Sequence, residues 1–417
     1  MTSNKTLKNI ERMFSVSLGE MKEFMRNFHS EMRKGLAGEK SSLRMLSEYV
    51  KKPRGTESGI FLGLDLGGTN FRILLLELTG KRKTRILSSS KFLLHKKHMT
   101  GAGTALFDFL AACIKSFTDK YKAGIDRKYR IGFTFSFPVK KRALARGILI
   151  RWTKGFRARG VEGKDVVLLL NESLKRKGLR CAEVVALAND TVSTLLARSY
   201  EDPDCDIGVI LGTGTNACYC ERAGEIINIE WGRFSKLRGT PYDKAVDRLS
   251  INPGEQLLEK MVSGMYLGRI ARLVAEDLPG KGKLPGEFKS EYMSLIESDS
   301  SKNMQKTKNL LKKFGMPDPS YSDRKLLKKA CSMVSTRAAR LGAAAIASVI
   351  TRMDARLLKK HTVAIDGSVY EKHSGFSRKI KQALKEIFGK NTKNIRLVLT
   401  KDASAKGAAI LAATAAS

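Results

Sequence analysis

The 417-residue chain has no uninterrupted hydrophobic run of the length that crosses a membrane. Its longest apolar stretches, such as VVALA and IGVIL, fall far short of the roughly 20 residues that a bilayer requires. The first residues, MTSNKTLKNIERMF, also lack the basic and then apolar pattern of a secretory signal. We therefore expect a cytoplasmic protein without a membrane span.

Cysteine is scarce and scattered, and no C-x-x-C pair is present among the six cysteines. Cys218 and Cys220 flank Tyr219 in a predicted strand, so their side chains share one face. A metal-binding pair is the alternative interpretation, but the segment offers no nearby His or Cys as a further ligand. We interpret the cysteines as small buried thiols in a reducing compartment.

Acidic residues are also scarce: 41 Asp and Glu stand against 77 Lys and Arg, which gives a net charge of +36. Such an excess favours polyanionic partners, for example nucleic acid or anionic lipid. The basic residues are spread along the chain in segments such as KRKTR, KKRALAR and RKLLKK. Because no zinc-finger, RNP-like or helix-turn-helix pattern accompanies them, a polyanion partner is an alternative that the sequence does not favour.

Length and pattern together predict a two-lobed α/β protein. At 417 residues the chain exceeds the usual size of one core, and its 42% apolar content is typical of a globular protein. Strand pairs alternate with amphipathic helices, which is typical of the α/β class. The predicted elements are helices over 6–36, 104–121, 163–178, most of 252–360 and the Ala-rich C-terminus; a linker over 51–59; strands over 60–78, 129–139, 205–222 and 361–370; and a strand, turn and helix over 182–200.

Two hairpins in the sequence have the same polar tip. LDLGGTN (64–70) aligns with ILGTGTN (210–216), and each lies between two apolar runs. Glycines let a backbone approach a ligand closely, and oriented backbone amides bind phosphate. A plain tight hairpin explains one such tip equally well. The second copy, together with Asp65 as a carboxylate that could order magnesium-bound water, favours two loops around a nucleotide and two duplicated lobes.

The segment ALANDTVSTL places Asp190 in a turn between a buried strand and a helix. An acid at this position is often only the N-cap of the helix. The preceding Asn189 can also cap, so a second polar residue is left without an explanation. As a general base, Asp190 would take a proton from a sugar hydroxyl during phosphoryl transfer. Both interpretations stay open from the residues alone.

From about residue 14 onward the chain resembles the eukaryotic hexokinase/glucokinase family. The resemblance rests on motifs in one order: LDLGGTNFR, GFTFSFPV, WTKGF, GVEGKDVV, NDTV, GTGTNACY, NIEWG, NPGEQLLEKMVSGMYLG, STRAAR, DGSVY and KGAA. It implies a two-lobed actin-like ATPase (ribonuclease H-like) fold with the active site in the cleft between the lobes. It also implies a monomer with a single catalytic unit that phosphorylates the 6-hydroxyl of glucose or a related hexose with ATP, closing its lobes on the sugar.

The resemblance further implies a division of the chain into four parts. Residues 1–52 would form a helical segment packed on the large lobe, and residues 53–188 would form the small lobe. Residues 189–401 would form the large lobe, and residues 402–417 a helix that returns to the small lobe.

The family pattern also assigns the site residues. Asp190 would be the base, and Lys154 would hold the sugar and offset charge during transfer. The sugar pocket would consist of Ser136, Thr153, Lys154, Asn189, Asp190, Asn216, Glu230 and Glu259. ATP or ADP would contact Asp65, Gly67, Gly68, Thr69, Asn70, Arg72, Gly212, Thr213, Gly214, Thr336 and Ser404. No residue would bind Mg²⁺ directly; the phosphates and water would hold it, with Asp65 nearby.

Some positions depart from the family pattern. The tail reads DASAKGAA where the family usually has DGSGKGAA, so Ala403 and Ala405 replace glycines. If either position is left-handed, the added methyl group would strain it by roughly 1–2 kcal/mol and weaken ATP binding. Arg233 and Ser235 stand close after Glu230, and PVKKRALARG has basic residues where acidic or neutral ones are usual. A catalytically weak homologue that senses sugar is therefore an alternative, although the intact Asp190 and Lys154 favour an enzyme.

Overall fold

The computed structural model describes residues 2–121, 128–221, 224–278, 284, 287–316 and 318–415. In these ranges the chain alternates between strands and helices, as the sequence predicts. The strands are β1 Leu46–Lys51, β2 Ser58–Leu66, β3 Asn70–Thr79, β4 Thr84–Leu93, β5 Tyr129–Phe135, β6 Val139–Ala143, β7 Arg146–Leu149, β8 Ala182–Ala188, β9 Cys205–Leu211, β10 Thr215–Cys220, β11 Glu225–Asn228, β12 His361–Asp366 and β13 Ile395–Leu399.

Most of the helices lie in the C-terminal half of the chain. They are α1 Thr2–Phe14, α2 Leu18–Leu36, α3 Lys96–Thr100, α4 Gly103–Tyr121, α5 Val166–Arg176, α6 Asp190–Ser199, α7 Pro241–Arg248, α8 Leu257–Val262, α9 Gly264–Glu276, α10 Ser290–Ser298, α11 Gln305–Lys313, α12 Tyr321–Met353, α13 Ser368–Lys372, α14 Phe376–Phe388 and α15 Ala403–Thr414. Short 3₁₀ turns cover Trp231–Arg233, Lys302–Met304 and Gly389–Asn394.

Two sheets are built on the same plan. Sheet I has the order β4-β3-β2-β5-β8, and sheet II has the order β1-β11-β10-β9-β12-β13. In each sheet three antiparallel strands (β2 to β4, or β9 to β11) are followed by two parallel ones (β5 and β8, or β12 and β13). The repeat seen in the two hairpin tips therefore extends to whole sheets.

Two helices, α6 and α15, pack against each other and against the sheets, with α6 on β9 and α15 on β2 and β5. Glycines allow this close approach. A Cβ atom on Gly63 or Gly132 would lie 1.9 Å or 1.8 Å from a carbonyl oxygen of α15. A Cβ atom on Gly407 would lie 1.9 Å from the carbonyl oxygen of Ser193 in α6. Backbone contact thus requires glycine at positions 63, 132 and 407.

The longest described helix, α12, forms the centre of the larger hydrophobic core with α2, α9 and α14 around it. Among the described residues, α12 alone is long and apolar enough to cross a membrane by length and composition. However, 83% of its most apolar stretch is buried inside the fold. That burial is what a core helix shows.

The structure differs from the predicted elements near the N-terminus. The helical periodicity over 6–36 corresponds to two helices, α1 and α2, because Ser17 and Glu20 form a capping box that begins α2. In that box Glu20 N–H donates to Ser17 Oγ at 3.2 Å, and Ser17 N–H donates to Glu20 Oε2 at 2.7 Å. Strand β1, which pairs with β11 at the edge of sheet II, was not predicted from the sequence.

We expect Gly407→Ala to destabilise the protein by about 3 kcal/mol or more, because the added methyl group meets the α6 backbone. Gly342→Ala in α12 is the matched control, since its nearest neighbour would be Val262 Cγ1 at 3.8 Å. That control should be neutral or stabilising by up to about 1 kcal/mol, because alanine favours helix. Urea unfolding measures both variants. Equal stabilities of the two would contradict the close packing of α6 and α15.

Candidate active site

The two glycine-rich hairpin tips occupy equivalent places, one between β2 and β3 and the other between β9 and β10. Each is closed by a backbone hydrogen bond: Gly67 N–H donates to Asn70 O at 3.1 Å, and Gly212 N–H donates to Gly214 O at 3.0 Å. None of the four tip glycines is among the described residues with a positive φ angle. Backbone conformation therefore does not explain why these positions are glycine.

The space around the tip glycines differs between the two hairpins. A Cβ atom on Gly68 would have only Lys154 Cβ nearby, at 3.9 Å, so this backbone borders open space. A Cβ atom on Gly214 would lie 2.7 Å from Glu259 Oε2, and one on Gly212 would lie 3.2 Å from Gly367 Cα. The first tip thus leaves room for a ligand, whereas the second tip is closely bordered by Glu259 and Gly367.

Asp190 begins α6 but does not cap it. The cap is Asn189, whose Oδ1 accepts a hydrogen bond from Val192 N–H at 2.9 Å. The Asp190 carboxylate accepts a hydrogen bond from Thr191 Oγ1 at 3.2 Å. The capping interpretation therefore belongs to Asn189, and the Asp190 carboxylate is left for another role.

Carboxylates and amides cluster where β10 and β11 meet α8. Asn216 Nδ2 donates to Glu230 Oε1 at 3.1 Å, and Asn228 Nδ2 donates to the same oxygen at 2.9 Å. Glu259 Oε2 accepts a hydrogen bond from Thr215 N–H at 3.0 Å. Asn228 was not predicted as a site residue, although it opens the NIEWG motif. These contacts place Asn216 against Glu230, and Glu259 against Thr215, the residue before Asn216.

Burial raises the pKa of Glu230, and the negative charge of Asp190 adds to this increase. Burial also raises the pKa of Glu259, with a further contribution from Glu230, while Lys154 acts in the opposite direction. Glu230 has a left-handed backbone with φ 56°, and Lys154 has φ 55°. Such conformations are unfavourable for residues with a side chain, and their presence here is typical of functional sites.

A second set of carboxylates lies beside the first hairpin tip. Burial raises the pKa of Asp65 to about 7, with Asp190 and Asp366 adding to the increase and Arg72 and Lys154 opposing it. Burial likewise raises the pKa of Asp366 to about 6, and Asp190 contributes there too. Asp366, from the DGSVY motif at the end of β12, is a site candidate that the sequence analysis missed.

The tail segment enters this region through Asp402, whose carboxylate pairs with the guanidinium of Arg72. Asp402 has a left-handed backbone with φ 50°, whereas Ala403 and Ala405 are buried in the first turn of α15. Neither alanine has the left-handed backbone that would make its methyl group strained, so the strain considered for Ala403 and Ala405 is absent. The backbone oxygen of Ser404 accepts a hydrogen bond from Thr134 Oγ1 at 2.9 Å.

For the other predicted site residues the structure gives a location in the fold and no hydrogen bond to these carboxylates among the described residues. Ser136 follows β5 and is partly buried, and Thr153 lies in the turn that presents Lys154. Thr213 is exposed at the second tip, where its carbonyl oxygen accepts a hydrogen bond from Met265 N–H at 3.2 Å. Thr336 is partly buried in α12. A nucleotide-binding role for Thr336 stays a prediction.

The two repeated sheets, each with a glycine-rich hairpin tip, agree with the predicted actin-like ATPase fold, and the solved structures that the chain resembles confirm this prediction. Family models described as hexokinase match residues 6–200 and 206–414. The chain therefore belongs to the hexokinase family, as its motifs predicted.

Among curated relatives, Hexokinase-2 from Equus caballus is 39% identical over 431 aligned residues, which cover 94% of this chain and 46% of that protein. Human Hexokinase-1 is 38% identical over 436 residues, covering 96% of this chain and 47% of that protein. The chain thus spans about half the length of these relatives.

Solved structures match the chain over nearly its whole length. A crystal structure of hexokinase has a TM-score of 0.89 and 32% identity, covering 99% of both chains. The hexokinase from Schistosoma mansoni complexed with glucose has a TM-score of 0.85 and 37% identity, covering 98% of both chains. A ROK hexokinase from Thermus thermophilus, at 18% identity and a TM-score of 0.53, covers 85% of this chain and 97% of its own and shows the fold alone.

The raised pKa of Asp65 predicts a pH-dependent stability in the absence of nucleotide. Asp65 binds its proton more tightly in the folded state, so its stabilising contribution is present below about pH 4 and is lost as pH rises through about 7. We therefore expect Asp65→Asn to be more stable than the wild type at pH 8, by roughly 2–4 kcal/mol, with less difference at pH 4.5. Urea unfolding at both pH values is the measurement.

Asp119→Asn is the control for Asp65→Asn, because Asp119 is exposed on α4 and pairs with Lys115 at the surface. Its effect should be small at both pH values. A lower stability of Asp65→Asn than of the wild type at pH 8 would count against the buried, charge-crowded environment.

Proposed function

We propose that this protein is an ATP-dependent hexokinase, which transfers the γ-phosphoryl group of ATP to the 6-hydroxyl of glucose or a related hexose. This is the reaction that begins glycolysis. The observation that carries the proposal is that Asp190 is close enough to both carboxylate sets for its charge to act on Glu230 and on Asp65. A base in this position can contact a sugar hydroxyl that faces the first hairpin tip.

The sugar would bind among carboxylates, amides and hydroxyls that can pair with its hydroxyl groups as donors or acceptors. Hydrogen bonds within the site already orient several of them, such as the two amides on Glu230. The similarity to a Schistosoma mansoni hexokinase complexed with glucose supports this assignment. The proposed sugar-binding residues are Ser136, Thr153, Lys154, Asn189, Asp190, Asn216, Glu230 and Glu259.

The triphosphate would lie against the two hairpin tips. The open space beside Gly68 supports this placement, and Arg72 and Lys154 supply positive charge there. Arg72 would exchange its pairing with Asp402 for the phosphates. The remaining proposed contacts are Gly67, Thr69, Asn70, Gly212, Thr213, Gly214, Thr336 and Ser404.

The residues at the first tip also fit a magnesium ion carried by the nucleotide. Carboxylate oxygens are the donors that magnesium prefers, and the crowded charges that raise the pKa of Asp65 and Asp366 would be relieved by a nearby cation. Asp65 would orient water in the ion's shell. When bound, magnesium neutralises charge on the phosphates.

In the proposed reaction Asp190 accepts the proton of the sugar 6-hydroxyl as the hydroxyl oxygen attacks the γ-phosphorus, and the bond from that phosphorus to the β,γ-bridging oxygen breaks to release ADP. Lys154 holds the sugar and offsets the charge that develops on the transferred group. We also propose that the lobes, residues 53–188 and 189–401, close on the sugar and exclude water. Closure of this kind protects ATP from hydrolysis.

We expect Asp190→Ala to lower kcat by about 10²–10⁴-fold with glucose and Mg-ATP, because the general base is removed. ADP release measures turnover. Sugar binding is measured separately by fluorescence, since the chain's two tryptophans, Trp152 and Trp231, adjoin the proposed sugar residues Thr153 and Glu230. The variant should still bind glucose.

Asp119→Ala serves as the control, as an exposed acid on α4. Equal turnover of Asp190→Ala and the wild type would refute the assignment of the base. A wild type that binds glucose but releases no ADP would instead favour the sugar sensor.

Glucose should reduce the radius of gyration, because closure brings the two sheets and their surroundings closer together. Small-angle scattering with and without glucose measures this change. Galactitol, an acyclic polyol, is a suitable control for a non-specific solute effect. An unchanged radius at saturating glucose would contradict lobe closure.

A further inference from the structure

A buried ion pair joins Lys141 to Glu48. Lys141 Nζ donates to Glu48 Oε2 and to the backbone oxygen of Glu48, both at 2.8 Å. The side chains are only 8% and 5% exposed. One ammonium group thus contacts both the carboxylate and the backbone of Glu48. The two contacts fix the orientation of the Lys141 side chain relative to β1 as well as its distance from β1.

The pair connects elements that belong to different sheets. Lys141 lies in the middle of β6, which forms a hairpin with β7 directly after β5 of sheet I. Glu48 lies in β1, the edge strand of sheet II. Lys141 also belongs to PVKKRALARG, the segment that is more basic than the family pattern. The proposed chemistry does not use this lysine.

Each partner is linked through a short stretch of chain to one half of the proposed sugar pocket. On the sheet I side, the β6–β7 hairpin separates Ser136 from Thr153 in the sequence. On the sheet II side, β1 pairs with β11, where Leu46 stands opposite Asn228. Asn228 in turn donates to Glu230. The ion pair is therefore placed to set the distance between the two halves.

The charge of Glu48 also reaches the pocket. The negative charges of Asp190 and Glu48 act on Glu230, and Glu230 acts on Glu259, while the amides of Asn216 and Asn228 donate hydrogen bonds to Glu230. Lys141 compensates the charge of Glu48. Without it, a buried carboxylate would be left unpaired behind Glu230, and leaving such a charge unpaired is strongly unfavourable.

From this geometry we propose that Lys141 and Glu48 are positioning residues for the sugar site, holding the Ser136 and Thr153 segment in register with Glu230. The proposal rests on the proposed hexose-binding function. The pair does not touch the reacting atoms. Its effect should therefore be on sugar affinity, with a smaller effect on the chemical step.

The test compares Lys141→Met and Glu48→Gln with the wild type. We expect the dissociation constant for glucose, measured by tryptophan fluorescence, and KM for glucose to rise about tenfold in Lys141→Met. We expect kcat to change by less than about threefold, well below the effect of losing a general base. Glu48→Gln keeps an acceptor for Lys141 and should show a smaller rise; it also provides a second measurement if Lys141→Met does not fold.

Lys140→Met is the matched control, because Lys140 is the exposed neighbour on the same strand and its loss changes net charge equally. It should bind glucose like the wild type. The double variant Glu48→Leu/Lys141→Met replaces the pair by apolar side chains, which should restore thermal stability. It should not restore glucose affinity, because apolar contacts lack the direction of the ion pair.

The possible outcomes distinguish a pair that positions the sugar-binding residues from a pair that only stabilises the fold. Wild-type affinity in Lys141→Met and Glu48→Gln, or recovery of affinity together with stability in the double variant, would overturn the proposal. A wild type that shows no response to glucose, fructose or mannose in fluorescence or turnover would refute the proposed function itself. Weak binding in the single and double variants with near-normal kcat would support the positioning role.

Discussion

The close contact of α6 and α15 with the two sheets is the constraint on which the rest of the structure depends. Carbonyl oxygens of α15 approach Gly63 and Gly132 so closely that no side chain fits, and Gly407 meets α6 in the same way. This contact unites the two repeats in one body. Because β2 and β9 lead into equivalent hairpin tips, the joined repeats present two similar loops.

The packed arrangement also concentrates negative charge. Asp65, Asp190, Asp366, Glu230 and Glu259 come from five separate segments, yet their charges act on one another. In a protein with a net charge of +36, this acidic cluster is a local exception. Amides of Asn216 and Asn228 and the cations Arg72 and Lys154 compensate part of the charge. In the proposed function, the remainder would be offset by sugar hydroxyl groups and by a cation carried by the nucleotide.

Several parts of the site could be predicted from the sequence because they are local. The matching tips over 64–70 and 210–216 indicated a repeat, and the turn at Asn189 and Asp190 could be assigned to the start of a helix. Asn228 and Asp366 were missed, since an isolated polar residue at a strand end has no sequence pattern of its own. Their importance follows from neighbours that are distant in the chain. The strain considered for Ala403 and Ala405 was a local expectation too, and the left-handed residue is instead Asp402.

By itself the sequence determined the α/β class, the family and the residue types available for chemistry, because strand and helix periodicity and contiguous motifs are properties of neighbouring residues. Tertiary structure alone decided that Asn189 rather than Asp190 caps α6, and that Lys141 of the β6–β7 hairpin pairs with Glu48 at the edge of sheet II. It also decided which carboxylates are crowded enough to have raised pKa values. Burial and pairwise charge depend on distances between segments far apart in the chain, and packing sets those distances.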